Sequence, residues 1–321
     1  MRAIWLRETG GPEVLVPGEA PDPVAGPGQI LIEVELANVT FVETQVRAGT
    51  APFSLELPAI PGNGVGGVVA AVGPGVDEEL AGRRVVSSLG GSGGYAERAV
   101  ADAAGVIEVP DGLGLDVALA LLADGRTALS LVRTVAPRAG ERALVEAAAG
   151  GVGSLLVQLA ATRGADVVAA AGGERKLELA RELGARVTVD YREPDWPERV
   201  REACAGVDVV FDGVGGEVAR AAFGLLAPGG RMLSFGLASG EWAAVSEEDA
   251  AARSVELVRP GRPTAEEQLE LARSALAEAV AGRLRPVIGQ RFPLERAADA
   301  HAAIEARATV GKTLLEVAVR G

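Results

Sequence analysis

Apolar and polar positions change rhythm along the chain. In the first 110 residues the apolar positions come in short runs broken by Gly and Pro. Residues 29–37 (QILIEVELA) alternate apolar with polar, the period-two pattern of a half-buried strand. Residues 62–73 (GNGVGGVVAAVG) begin Gly-rich and turn strongly apolar, which predicts tight turns and close backbone approach. Residues 80–89 and 95–100 are further short strand candidates, so a compact, barrel-like β domain is expected. Beyond Pro110 the period lengthens, and residues 115–131 carry apolar side chains at helical spacing. From Arg142 strands alternate with helices. Strands are predicted at 143–147, 166–171, 186–190, 207–212, 231–235 and 255–258. Helices are predicted at 151–163, at 174–183 with Gly184 as the stop, at 196–204, and at 217–226 with Pro228-Gly229-Gly230 as the stop. That alternation predicts a parallel, doubly wound sheet. Thr264 and Glu267 have capping-box spacing and open an amphipathic helix through Leu269, Ala272, Leu276, Val280 and Leu284. Residues 296–307 form another helix and 313–319 an apolar strand, a tail expected to return to the first domain. The expected division is 1–120 completed by 262–321, with 121–261 as the α/β domain.

Composition narrows the partners. The 321 residues suit two domains. Asp and Glu outnumber Lys and Arg by 44 to 31, a net charge of −13. A generally acidic surface argues against nucleic acid, whose phosphates require clustered cations. One cysteine, Cys204, cannot form an internal disulfide. The opening residues lack the apolar core of a signal peptide, and no apolar run approaches the ~18–20 residues of a membrane span. A cytoplasmic location without membrane partners is therefore expected.

The strongest local motif is Ala147-Ala148-Ala149-Gly150-Gly151-Val152-Gly153, between a predicted strand and a predicted helix. It matches GxGxxG with Ala148 in the first glycine position. Small residues there let the backbone approach a pyrophosphate, and the helix N-terminus offers N–H groups and a positive dipole end. In this run of βα units it marks a Rossmann-type dinucleotide site. Dinucleotide domains that bind NAD place an acid after the second strand to hold the ribose hydroxyls. Here Gly172 and Gly173 stand at that point, followed by Glu174, Arg175 and Lys176. Arg175 or Lys176 could meet a 2′-phosphate, which favours NADPH although Glu174 works against it. Tyr191 follows the next strand, where its ring could flank the adenine. The turns with Val214 and Gly215 and with Phe235, Gly236 and Leu237 end the next two strands, so they are expected on the ribose–nicotinamide side.

A catalytic zinc needs three protein ligands, and one Cys with one His, His301, cannot build the common sets. Both are expected to be structural. Without a metal, alcohol oxidation needs another group to take the hydroxyl proton, and no side chain stands out for that task. Hydride addition to a quinone or an α,β-unsaturated carbonyl asks less of the protein. No catalytic side chain is assigned.

The chain resembles the zinc-independent (zeta-crystallin-like) quinone oxidoreductases of the medium-chain dehydrogenase/reductase superfamily. The resemblance runs through residues 40–49, Gly93-Gly94-Tyr95-Ala96-Glu97, the AAAGGVG run, Asp190-Tyr191-Arg192-Glu193, residues 211–216 and 235–240, and FPLERAADAHAAIEARATVGK at 292–312. It implies a GroES-like β-barrel-type catalytic domain, a Rossmann domain, NADPH in the cleft and a homodimer. It places Ala149, Gly150, Gly151, Val152 and Gly153 on the pyrophosphate. It places Gly173, Lys176, Tyr191 and Arg307 around the 2′-phosphate, and Thr127, Leu257, Val258 and Arg259 by the nicotinamide half. Thr40, Phe41, Gln45 and Gly64 would line the substrate pocket. Relatives often carry Asn, Tyr and an acid where this chain has Thr40, Gln45 and Gly64, Ser or Thr where it has Gly173, and Asn where it has Leu237. The leading expectation is an NADPH-dependent reductase of quinones or enones. An enoyl-thioester or tailoring reductase on the same scaffold and a non-catalytic NADPH-binding protein are the alternatives.

Overall fold

The computed structural model describes residues 1–317. The chain divides into two compact units, one of Met1–Ala123 with the chain from Ala272 on, the other Asp124–Leu271.

In the first unit the long strand Gln29–Val39 organises a seven-stranded sheet. It pairs antiparallel with Gly64–Val72, with Arg98–Asp102 and with Lys312–Glu316. Register shifts along the Gly64–Val72 pairing mark bulges, which strengthen the twist that curls such a sheet. The returning tail supplies Ile288–Pro293 and Lys312–Glu316, paired parallel. The expected strand at 313–319 begins one residue earlier, and its positions 318–319 lie outside the described residues. An N-terminal hairpin, Arg2–Leu6 with Leu15–Glu19, was not marked by the sequence pattern. Ile4, Leu6, Ile30, Ile32, Val65, Val85, Tyr95 and Leu315 form the core beneath these strands.

Helix α1 (Phe41–Ala48) follows the long strand. Thr40 caps it, with Thr40 Oγ1 accepting from Glu43 N–H at 3.3 Å and Glu43 Oε2 accepting from Thr40 N–H at 2.6 Å. Gly49, at φ 74°, closes it in the left-handed region that glycine enters without strain. Glu43 also accepts the Asn63 N–H at 2.7 Å, so one buried carboxylate caps α1 and pins the turn before strand Gly64–Val72. One turn further along the same buried face of α1, Arg47 is 1% exposed and pairs with Glu305 of helix Ala297–Glu305.

The second unit is a six-stranded, wholly parallel sheet. Its strands are β1 (Arg142–Glu146), β2 (Asp166–Ala171), β3 (Val187–Asp190), β4 (Val207–Asp212), β5 (Leu226–Ser234) and β6 (Glu256–Val258). They lie in the order β3-β2-β1-β4-β5-β6, the arrangement of dinucleotide-binding domains. β1, β2 and β4 are buried at all but one position each, as strands inside a parallel sheet are. Helix α2 (Gly151–Thr162) leaves β1 through the glycine motif.

Four expectations need correction. Pro228-Gly229-Gly230 does not stop a helix. The helix Gly216–Phe223 ends earlier, and the tripeptide lies inside β5. The register with β4 shifts there, and a bulge tolerates a residue with no N–H. The strand expected at 80–89 starts at Arg84, because Asp77 caps a short turn at Glu78–Leu80 and Gly82 reverses the chain at φ 79°. The strand expected at 95–100 is Arg98–Asp102. The helix expected at 115–131 is Leu115–Ala120 and Arg126–Val135, joined by a π-helical turn at Leu121–Gly125.

The second division between the units falls between Leu271 and Ala272. Helix α3 (Ala265–Val280) opens with the expected capping box, Thr264 N–H to Glu267 Oε2 at 2.7 Å. Arg126 donates to Gln268 at 3.0 Å and ties its first turn to the second unit. Leu271 is the last residue of that unit, and the rest of α3 belongs to the first. Among the described residues no helix is long and apolar enough to cross a membrane.

Candidate functional site

A parallel sheet places all its carboxyl ends on one edge. Read from β3 to β6, that edge carries Tyr191, then Gly172 and Gly173, the 147–153 motif, Val214 and Gly215, Phe235 to Leu237, and Leu257 to Arg259. Every expected cofactor residue on these turns therefore lies along one rim of the second unit. Thr127 lies in the same unit, in the first turn of helix Arg126–Val135.

The motif is tightly made. Gly150 is the N-cap residue of α2 and contributes no capping side chain. A Cβ on Gly153 would collide with the Ala147 carbonyl oxygen, so only glycine lets α2 approach β1 this closely. Ala147 itself takes a positive φ of 47° to turn the chain. The Asp124 carboxylate lies against Gly151, where any added Cβ would meet it.

At the turns after β2 and β3 the structure adds a residue that sequence reasoning passed over. Arg192 lies across the two glycines, within 3.1 Å of where each Cβ would stand. Asp190 holds its guanidinium through Nη2 at 2.6 Å and Nε at 3.0 Å. Asp190 also accepts the Gly173 N–H at 2.9 Å, so that donor is committed within the protein. The Arg192 fork, the Arg192 and Gly173 N–H groups and this arrangement lower the Asp190 carboxyl to about 2. The Arg192 side chain remains 62% exposed. Its signal was its place directly after Tyr191, but only the fold brings it over residues 172 and 173. Tyr191 is half-buried and packs on the core of the unit.

The turn after β4 is ordered by buried acid. Asp212 Oδ1 accepts the N–H groups of Val214 at 3.0 Å and Gly215 at 2.7 Å. Glu146, the last residue of β1, accepts from Val214 N–H at 3.2 Å. Burial, and Asp212 beside it, push the Glu146 carboxyl well above the usual range. Phe235 packs on Gly213, and its N–H bonds the Asp212 carbonyl at 2.8 Å.

In the first unit Thr40, Phe41 and Gln45 gather at the start of α1, all half-buried. Arg307, expected near the 2′-phosphate, stacks its guanidinium 5.3 Å from the Phe41 ring centre. Gly64 is buried, and its missing side chain would strike Asn38. Beneath α1, Tyr95 O–H reaches His301 Nε2 at 3.0 Å and Glu43 Oε2 at 3.4 Å. Burial, aided by Arg47, lowers His301 to about 3, so the ring is neutral. Cys204 donates to Val200 O at 3.2 Å on its own helix. A groove of 630 Å³ in this unit, lined by Leu80, Val106, Ile107, Leu276 and Val280, includes none of the expected pocket residues.

Comparison with known proteins agrees with this architecture. Residues 26–111 match the alcohol dehydrogenase GroES-like domain, and residues 151–276 match the zinc-binding dehydrogenase domain. The chain is 35% identical to a 2-haloacrylate reductase of Burkholderia sp., covering 98% of both chains. It is 32% identical to human quinone oxidoreductase, covering 98% of this chain and 97% of that one. A mycobacterial protein solved with NADPH superposes with a TM-score of 0.90 at 38% identity, over 99% of this chain and 100% of the other. Full-length similarity at these identities, joined to a GroES-like unit and a 3-2-1-4-5-6 sheet, makes the chain an oxidoreductase of the quinone oxidoreductase family within the medium-chain dehydrogenase/reductase superfamily.

Proposed function

We propose that the chain is an NADPH-dependent, zinc-free reductase that delivers hydride to a quinone or a related electron-poor enone. The observation that carries this reading is the rim of the second unit. There a glycine-lined helix N-terminus with no N-cap side chain meets a basic adenosine end built on Gly172, Gly173, Lys176 and Arg192. The gap that Gly153 leaves fits a pyrophosphate on the backbone of residues 149–153. Lys176 and Arg192 supply charge for a 2′-phosphate, and Tyr191 supplies a ring for the adenine. The turns at Val214 and Phe235 line the nicotinamide half. When bound, the reduced nicotinamide supplies the hydride.

Zinc does not fit these residues. The chain has one histidine, fully buried on Tyr95, and one cysteine held within its own helix. Among the described residues no three His, Cys, Asp or Glu side chains cluster as metal ligands. Acceptors that take hydride without a Lewis acid suit such a site. The Burkholderia relative is named for a haloacrylate, an electron-poor alkene, which supports enones and acrylates beside quinones. We also read the protein as a homodimer, a reading that β6 supports as an edge strand among the described residues.

The test is titration with NADPH and NADH, followed by 1,4-benzoquinone, an enone and 2-chloroacrylate as acceptors. NADPH preference with acceptor-dependent oxidation is expected. Tight NADPH binding with no turnover on any acceptor would make this a cofactor-holding protein, and failure to bind either cofactor would sink the reading. Arg192→Ala should weaken NADPH roughly 10- to 100-fold while leaving NADH unchanged, because charge-assisted hydrogen bonds contribute about 1.5–3 kcal/mol. Equal losses for the two cofactors would remove Arg192 from the phosphate.

A further inference from the structure

Two acidic side chains are wholly buried at the ends of the two central strands. Glu146 ends β1 and Asp212 ends β4, and each is 0% exposed. The strands pair through Val145 and Phe211, one residue earlier, so the two carboxyl groups follow side by side. Both reach for one donor, the Val214 N–H. Their other oxygens, Glu146 Oε1 and Asp212 Oδ2, are buried with no partner. A proton held between the acids is the partner that both lack, since two carboxylates so close and so dry cannot both carry charge. Among the described residues no cation pairs with either. Asp212 and the N–H groups of Gly213 and Val214 are what act on Glu146, and β2 presents Ala170 on its other side.

We propose that Glu146 is a positioning residue that, as a neutral acid, donates to Asp212 and so fixes the 213–215 turn in the shape that receives the nicotinamide half of the cofactor. This role rests on the cofactor reading above. The fixed turn carries its neighbour with it, since Gly213 O accepts from Ala238 N–H at 3.3 Å and Val214 O from Ser239 N–H at 2.7 Å. One proton thereby sets both turns on the nicotinamide side.

The sign follows from the raised Glu146 pKa. The folded protein keeps this proton above the unfolded value, so its contribution to stability is complete at acid pH and is lost as pH rises through the folded value. Loss of the proton leaves a buried charge on Glu146 beside the Asp212 side chain and loosens the turn. Cofactor affinity should therefore fall toward alkaline pH.

The experiment measures the NADPH Kd by fluorescence from about pH 6.5 to 9.5 for wild type, Glu146→Gln and Asp212→Asn. Glutamine donates the same hydrogen bond and does not titrate. Dividing by the variant's Kd cancels titration of the cofactor's own phosphate. Glu146→Gln should match wild type at the acid end and bind roughly tenfold tighter than wild type at the alkaline end, with Asp212→Asn equally flat in pH. Identical profiles in wild type and Glu146→Gln would overturn the proposal, as would loss of binding at the acid end by a folded Glu146→Gln protein. If wild type binds no NADPH at any pH, the cofactor reading fails by itself. Amide exchange at residues 213–215, corrected for intrinsic rates, then decides the positioning role. Faster exchange at alkaline pH in wild type, absent from either variant, supports it, and equal exchange overturns it.

Discussion

Gly153→Val should bind NADPH at least roughly a hundredfold more weakly than the parent and melt well below it. The Cβ of any residue at 153 collides with the Ala147 carbonyl oxygen and crowds Ala148, and both of those are backbone. Overpacking a well-packed site costs about 1–3 kcal/mol when side chains can yield, and here they cannot. The helix must instead move off β1. Its N-terminal N–H groups move with it, away from the position in which they would hold a pyrophosphate. Fluorescence titration and a thermal melt read the two effects together. Gly153→Ala should show the same pattern at smaller amplitude. Parent-like affinity in the valine protein would mean that the close approach of α2 to β1 does not shape the cofactor site.

The second large effect belongs to the first unit. Glu305→Ala should cost about 3 kcal/mol, the lower end of the range for breaking a buried ion pair. Arg47 lies on the buried face of α1, donating to the Gly10 carbonyl at 2.7 Å and to Glu305. Without Glu305 its charge stays in the protein with no other ion pair among the described residues. Glu305 itself is 36% exposed, so water reaching the vacated site tempers the loss. Urea unfolding should show a lower midpoint with an unchanged slope. The double variant Arg47→Met with Glu305→Leu should recover most of the stability, because the apolar pair leaves nothing charged to bury. A loss below about 1 kcal/mol in Glu305→Ala would show that the pair behaves as a surface pair does.

These two sites differ in how plainly the sequence announced them. The motif at 147–153 is local: strand, small residues and helix follow one another, and the chemistry is complete within seven positions. The βα repeat is legible for the same reason, since hydrophobic period and glycine stops are near-neighbour signals. Where stops misled, longer-range pairing had prevailed. Pro228-Gly229-Gly230 looks like a terminator, yet β4 beside it absorbs the tripeptide as a bulge. Helix α1 went unmarked because Thr40 and Glu43 form its cap without a regular apolar stripe behind them. The acid pair Glu146–Asp212 and the fork Asp190–Arg192 were illegible for a different reason. The acid partners stand 66 residues apart, and Arg192 meets glycines about 20 residues away. Only strand order makes them neighbours. Residues 40, 45 and 64 were expected around substrate, and the structure gathers the first two on α1 while burying Gly64 under Asn38.

The paired ends of the first unit bear on how the protein is made. Strand Gln29–Val39 leaves the ribosome long before its neighbour Lys312–Glu316, which follows it by 273 residues. At about 5–20 residues per second, one flank of that early strand waits roughly 15–55 s for its partner. During that time a nascent chain displays an open strand edge, the kind of surface that recruits chaperones or strands from other nascent chains. The second unit has no such wait, since all six of its strands come from one continuous stretch. On the ribosome the dinucleotide half therefore matures first, before the strand that completes the other half has been made.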